Sequence, residues 1–210
     1  MASQDGPQRA SIIGTGLLGG SIGLALRAAG WHVTGVDADP AAEARAVELG
    51  AIDAVGLDAD AAITFVAAPV QSIAAEVRRA LAATAGVVTD VGSVKGSVVA
   101  EVDDPRFVGG HPMAGSEQLG VDGSRPDLFE GAVWVLTPTG GTDSDHFALV
   151  AAVVRLLGAE VVALEPERVA VDARGHAAGH HRVHPDPVRG ELGRGGRYRA
   201  GEDLSPGKGE

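Results

Sequence analysis

The chain has 210 residues, a net charge of −11 and no cysteine, which excludes disulfides and thiolate chemistry. No apolar run is long enough to span a bilayer, and residues 1–8 lack the apolar core of a signal peptide. We therefore expect a flexible N-terminus and a cytoplasmic protein. Residues 1–167 hold 9 Lys and Arg against 22 Asp and Glu. Such an acidic segment disfavours nucleic acid and anionic membranes as partners.

The first motif is a strand that enters a helix through glycines. Gly14 would permit the tight turn, Gly16 would let the backbone approach a pyrophosphate, and Gly19 would let the helix pack close to the strand. The first turn of that helix would offer free N–H groups to the phosphates. The predicted phosphate loop therefore consists of Gly14, Thr15, Gly16, Leu17, Leu18 and Gly19.

A carboxylate stands where a dinucleotide site requires one, about 20 residues after the glycines. Asp37 ends the apolar segment 31–37 and could accept hydrogen bonds from the adenosine ribose hydroxyls. An NADP site would be expected to supply an arginine for the 2′-phosphate, but Ala38-Asp39-Pro40 follows. The sequence therefore favours NAD as the cofactor. The alternative is a glycine turn of an ordinary α/β protein that binds no nucleotide.

Helical and strand patterns then alternate along the chain, which predicts an α/β fold with a doubly wound, Rossmann-type, mostly parallel sheet over residues 9–167. One apolar strand ends at Ala68-Pro69, where it should line the cofactor crevice. The predicted helices cover 17–29, 41–49, 70–84, 94–102 and 145–157, and the predicted strands cover 51–55, 61–69, 86–91, 106–111, 132–137 and 160–164. The helix at 70–84 should bury Val70 and Val77 on one face.

Two consecutive strands end in small and polar residues. The segment 86–95 ends in Asp90-Val-Gly-Ser-Val-Lys95, and 106–115 ends in Gly110-His-Pro-Met-Ala-Gly115. In open α/β sheets ligands bind at the carboxyl ends of the strands, so we expect both segments at that edge.

These two segments, together with the Rossmann start, resemble the prephenate dehydrogenase family, also called cyclohexadienyl or arogenate dehydrogenases. The resemblance covers about residues 9–167 and extends through Gly120–Phe129 and Val133–Pro138. It implies an oxidoreductase of tyrosine biosynthesis that transfers hydride from prephenate or arogenate to NAD while carbon dioxide leaves. Another interpretation is a β-hydroxyacid dehydrogenase. That class should have a catalytic lysine on a following helix, and we find no such lysine in the sequence.

The resemblance also implies residue roles. His111 matches the histidine that bonds the substrate hydroxyl and assists its deprotonation, and an imidazole with an ordinary pKa of about 6.5 suits that task. Ser93 matches the serine that bonds the same hydroxyl and the histidine, although it could also cap the following helix. Glu117 matches an acidic position near the substrate, or is an exposed loop residue. Lys95 could be a cationic contact for the ligand, but we favour the interpretation as a solvated first-turn residue.

Residues 168–210 differ in composition. They hold 9 glycines and only 6 residues from Val, Leu, Ile, Met and Phe, so we predict a disordered tail. The family continues here into a helical domain that forms the homodimer and supplies a histidine and an arginine to the substrate, so a homodimer is doubtful. We expect a truncated or frame-changed end, hence weak turnover or a non-catalytic NAD-binding remnant. The histidines at 176, 180, 181 and 184 are not predicted to bind metal.

Overall fold

Residues 6–93, 101–114 and 120–164 are described by a computed structural model, and all of them belong to one compact unit. Within these described ranges eight strands form one sheet, and four α-helices connect them. The strands are β1 (Arg9–Ile13), β2 (His32–Val36), β3 (Ala54–Val55), β4 (Ile63–Val66), β5 (Val87–Asp90), β6 (Phe107–Pro112), β7 (Val133–Thr137) and β8 (Glu160–Ala163). The helices are α1 (Leu17–Ala28), α2 (Pro40–Glu48), α3 (Ile73–Ala83) and α4 (Ser144–Leu156).

The strand order is β3-β2-β1-β4-β5-β6-β7-β8. The first six strands in this order run parallel, β7 pairs antiparallel with β6, and β8 runs parallel to β7. Chain order reverses between β1 and β4, which creates the crevice where doubly wound sheets bind ligands. The prediction of a doubly wound, mostly parallel sheet is confirmed.

Both faces of the sheet are covered, which explains why the central strands are apolar throughout. Ile12 and Phe65 belong to the core cluster that includes residues of α1 and α4. Ile13 and Val66, one position further along the same strands, pack with α3 on the opposite face. Within the described residues, no helix is long and apolar enough to cross a membrane.

Capping residues set the ends of the helices much as their sequence indicates. Asp39 accepts the Ala41 amide at 2.9 Å in front of α2, which begins with a proline. Asp143 caps α4 in the same way, and the backbone amides of His146 and Asp145 hold the pKa of its carboxyl below the ordinary value. Glycines with positive φ follow α1, α2 and α4 at positions 30, 50 and 158.

The start of α3 was predicted wrongly. The apolar spacing placed Val70 on its buried face, but α3 begins at Ile73 and Val70 is 41% exposed. The reason is a turn after β4, in which the Ser72 amide and hydroxyl both donate to the Pro69 carbonyl. The helix expected at 94–102 lies mostly outside the described residues, and the segment 168–210 lies entirely outside them.

The glycines of α1 let neighbouring backbone approach the helix, and Gly23 offers a test of this packing. A Cβ at Gly23 would collide with the Ala51 carbonyl, so we expect Gly23→Ala to lower the free energy of unfolding by about 1–3 kcal/mol. Gly140→Ala is the matched control, because no atom lies within 4 Å of its added Cβ. Urea unfolding of both variants measures the difference, and equal stabilities would contradict this account of α1.

Candidate functional site

The glycine turn between β1 and α1 contains two glycines that face neighbouring backbone and one that faces open space. Gly14 has φ +91°, and a Cβ there would lie 2.5 Å from the Ala67 carbonyl oxygen. A Cβ on Gly19 would collide with the Gly14 carbonyl. Gly16, in contrast, has no atom within 4 Å of its added Cβ. The turn is thus closed on the protein side and open on the side where a ligand would approach.

Backbone amides at the start of α1 directly follow Gly16, the open position of the turn. Gly16 is the N-cap residue and supplies no side-chain cap, and the first helical bond runs from the Gly20 amide to the Gly16 carbonyl at 2.7 Å. The amides of Leu17, Leu18 and Gly19 precede that bond, where an α-helix has no internal acceptor. Amides in this position suit the pyrophosphate of a dinucleotide.

Asp37 lies beside the same turn at the end of β2. Its Oδ2 accepts the Thr15 amide at 2.7 Å and the Thr15 hydroxyl at 3.2 Å, and its Oδ1 accepts the Asp39 amide at 3.0 Å. A carboxylate has about four acceptor positions, so these three bonds leave capacity for a ribose hydroxyl. The Asp37 amide donates to Glu43 at 2.9 Å, which adds a second carboxylate near this position.

The residues after β4 form the wall next to the turn. The Ala67 amide donates to the Ile13 carbonyl at 2.7 Å, which holds this segment against the end of β1. Ala68 is half-buried and Pro69 is exposed. Both therefore lie at the rim of the crevice beside the glycine turn, the position expected of residues that line a cofactor.

The polar ends of β5 and β6 lie at the same edge of the sheet, because the two strands are parallel neighbours. Ser93 follows β5 and His111 lies near the end of β6, and both are half-buried. Between them the carboxylate of Asp90 accepts the amides of Gly92 and Gly110. The structure therefore places the segments that carry Ser93 and His111 together, while Glu117 and Lys95 lie outside the described residues.

Sequence reasoning missed two residues that support this arrangement. Asp90 is fully buried. The sequence feature that could have revealed it is the position of a charged residue at the end of an otherwise apolar strand. Ser124 reaches the phosphate loop from a distant segment, since its hydroxyl lies 3.3 Å from the Gly16 carbonyl and 3.2 Å from that of Leu17. No local pattern marks Ser124, because its partners are more than 100 residues away along the chain.

Arginine side chains in the described part of the chain are largely committed to carboxylates. Seven of the eight described arginines form an ion pair: Arg9, Arg27, Arg45, Arg78, Arg79, Arg106 and Arg125. Arg9 and Arg106 are also remote from the polar edge, because they lie at the amino ends of β1 and β6. Most guanidinium groups in these residues therefore already lie within ion-pair distance of a carboxylate.

Comparison with known sequences gives a consistent result. Residues 22–163 match the family model "Prephenate dehydrogenase, nucleotide-binding domain". A prephenate dehydrogenase of Bacillus subtilis is 34% identical over 173 residues, which cover 74% of this chain and 46% of that protein. A probable prephenate dehydrogenase of Streptomyces niveus is 36% identical over 164 residues, covering 75% and 45%. The chain thus spans about half the length of the curated relatives it matches.

Solved structures of similar proteins have the same fold. The prephenate dehydrogenase of Aquifex aeolicus, in complex with hydroxyphenyl propionate and NAD+, superposes with a TM-score of 0.73 at 33% identity, over 80% of this chain and 63% of that one. The arogenate dehydrogenase of Synechocystis gives 0.71 at 31% identity, over 77% and 61%. A hydroxybutyryl-CoA dehydrogenase of Ralstonia eutropha, at 17% identity, shares the fold alone.

Substitutions at two glycines of the turn should have different effects, one on NAD binding and the other on the stability of the fold. Gly16→Ala should leave thermal stability close to wild type but weaken NAD binding about tenfold or more, since its Cβ occupies only the open side of the turn. Gly19→Ala is the matched variant, and it should lower stability because its Cβ collides with Gly14. Thermal unfolding and calorimetric titration with NAD measure both effects. Unchanged NAD affinity in Gly16→Ala would remove the turn from the binding site.

The carboxylate of Asp37 should determine the relative affinity for the two nicotinamide cofactors, NAD and NADP. In Asp37→Asn the amide oxygen still accepts from Thr15, but the charged acceptor is lost, so NAD affinity should fall roughly tenfold. The preference for NAD over NADP should narrow, because less negative charge faces the 2′-phosphate. Asp39→Asn is the control, since it removes a neighbouring charge and asparagine still caps α2. Calorimetric titration of both variants with NAD and with NADP measures these affinities. Equal changes in the two variants would contradict the assignment of Asp37 to the adenosine ribose.

Proposed function

This chain belongs to the prephenate dehydrogenase family, of which it carries the NAD-binding domain, and we propose that it serves the NAD-dependent oxidative decarboxylation of prephenate or arogenate. The products would be 4-hydroxyphenylpyruvate or tyrosine, respectively. The observation that supports the proposal is the parallel pairing of β5 with β6, whose carboxyl ends precede Ser93 and carry His111, in the same sheet as the glycine turn after β1. We assign the NAD-binding domain to residues 9–167.

The cofactor cradle fits a dinucleotide, because an open glycine turn, orphan helix amides and a ribose-side carboxylate occur together. Gly14 to Gly19 would hold the pyrophosphate, Asp37 the adenosine ribose, and Ala68 and Pro69 the wall of the crevice. NAD supplies a hydride acceptor when it is bound. No metal ligand is assigned, and no group of three or more possible ligands occurs within the described ranges.

His111 and Ser93 are the residues that we propose for the substrate hydroxyl. The His111 imidazole would accept the hydroxyl proton, which raises electron density on that oxygen and favours departure of a hydride from the same carbon. The Ser93 hydroxyl would orient this group and the imidazole. Glu117 is proposed near the substrate on the resemblance alone.

A second candidate function is NAD binding without turnover, and the arginine pairing favours it. Prephenate carries two carboxylates, which proteins prefer to bind through bidentate guanidinium groups. Seven of the eight arginines in the described segments already pair with Asp or Glu. A small anionic substrate would therefore find few cationic partners among these residues.

The proposal extends to partners and location. A small-molecule substrate and NAD are the ligands that we propose, while nucleic acid and membranes are disfavoured by the acidic charge of residues 1–167. A homodimer of this chain is not part of the proposal. A biosynthetic dehydrogenase that draws on the cellular NAD pool acts in the cytoplasm, which is the location we propose.

An assay of the 210-residue chain separates the two candidates. We expect calorimetry to detect NAD binding, and we expect NADH formation with prephenate or arogenate to be weak or absent because carboxylate anchors are scarce. NADH formation that is robust and lost in His111→Asn, but kept in His146→Asn, would establish the dehydrogenase and overturn the second candidate. His146 is a suitable control because it lies in α4, at the other edge of the sheet. Failure to bind NAD would overturn both.

A further inference from the structure

The backbone pairing of β5 with β6 ends earlier than β6 itself. Paired residues join Val88 to Phe107 and Thr89 to Val108, and β6 then continues to Pro112 while β5 ends at Asp90. Beyond the last pair, the Gly110 amide donates to Oδ1 of Asp90 at 3.1 Å. On the side of β6 that faces β5, a side-chain carboxylate thus accepts the Gly110 amide in place of a backbone carbonyl.

The second oxygen of the same carboxylate binds the other strand end. Oδ2 of Asp90 accepts the Gly92 amide at 2.9 Å. Gly92 directly precedes Ser93, and Gly110 directly precedes His111. One side chain therefore binds the backbone amides of the two residues that precede Ser93 and His111.

The two glycines make this close approach possible. A Cβ on Gly110 would lie 2.7 Å from the Asp90 carbonyl oxygen, and a Cβ on Gly92 would lie 3.0 Å from Oδ2 of Asp90. A Cβ on Gly92 would also collide with Ile73. A side chain at either position would push the backbone away from the carboxylate, so all three residues act as one unit.

Asp90 is an expensive residue at this position. Its exposed fraction is 0%, and burying a carboxylate costs free energy that only strong hydrogen bonds offset. Thr64 and Thr89 show that uncharged polar residues fit the neighbouring positions of β4 and β5. A carboxylate suits two separate amides, because each of its two oxygens is an acceptor.

We propose that Asp90 is a positioning residue, which clamps the ends of β5 and β6 and thereby sets the separation of Ser93 and His111. The link to catalysis rests on the function proposed above for those two residues. The clamp itself is independent of that function, and it can be tested in the absence of turnover.

Nuclear magnetic resonance of the full 210-residue chain tests the clamp without any substitution. Hydrogen bonds transmit scalar couplings, so a long-range HNCO spectrum should correlate the amide nitrogens of Gly92 and Gly110 with the side-chain carboxylate carbon of Asp90. Absence of both correlations, in a spectrum that shows the backbone hydrogen bonds of β4 and β5, would overturn the proposal.

Asp90→Asn tests what the clamp does. Asparagine keeps one acceptor and turns an N–H₂ donor toward the other amide, so one of the two hydrogen bonds is lost. We expect amide hydrogen exchange at Gly92, Gly110 or both to accelerate by about tenfold or more, as for loss of a bond to a charged group. The ring resonances of His111 should shift while those of His32 and His146 stay unchanged.

Thr89→Val is the matched control, because Thr89 is equally buried on the same strand and its hydroxyl has no hydrogen-bond partner among the described residues. It should leave exchange at both glycines unchanged. Acceleration that is equal across β1, β4 and β5 in Asp90→Asn would indicate a general stability role and overturn the positioning role. Unchanged His111 ring resonances in Asp90→Asn would also overturn the positioning role. A chain that passes these tests but lacks turnover would refute the dehydrogenase function alone.

Discussion

The close packing of α1 against the turn that precedes it is the constraint on which the rest of the site depends. Without a Cβ at Gly19 the helix can lie against the Gly14 carbonyl, and without one at Gly14 the end of β4 can lie against the turn. The amides of Leu17 and Leu18 are thereby fixed at the edge of the sheet where chain order reverses. The proposed phosphate site is therefore built from backbone, and few of its properties depend on side-chain identity.

Most of the fold was predictable from local patterns, because parallel strands buried on both faces leave long apolar runs and three of the four described helices are followed by glycine. Gly30, Gly50 and Gly158 marked three helix ends correctly. Val70 was misplaced because a proline turn interrupts an apolar spacing that continues through it. Helical periodicity alone does not locate the first turn of a helix when apolar residues precede it.

The candidate site was predictable where its residues come from contiguous motifs, as in the glycine turn and the polar ends of β5 and β6. Ser124 was not, because only the folded chain brings it to the carbonyls of Gly16 and Leu17. Asp90 stood within a recognised motif, but its two bonds depend on the register of β5 against β6. Register is a property of two strands, so neither strand alone reveals it.

The two anionic ligands of the proposed reaction place different demands on an acidic domain. A pyrophosphate can be held by helix amides, which carry no net charge and are unaffected by the pairing of arginines with Asp and Glu. The carboxylates of prephenate are different ligands, and guanidinium groups are the donors that match their geometry. Backbone amides of the described residues therefore suit the cofactor without any charged side chain. Binding of the substrate carboxylates calls for cationic side chains, and most arginines in these residues already pair with Asp or Glu.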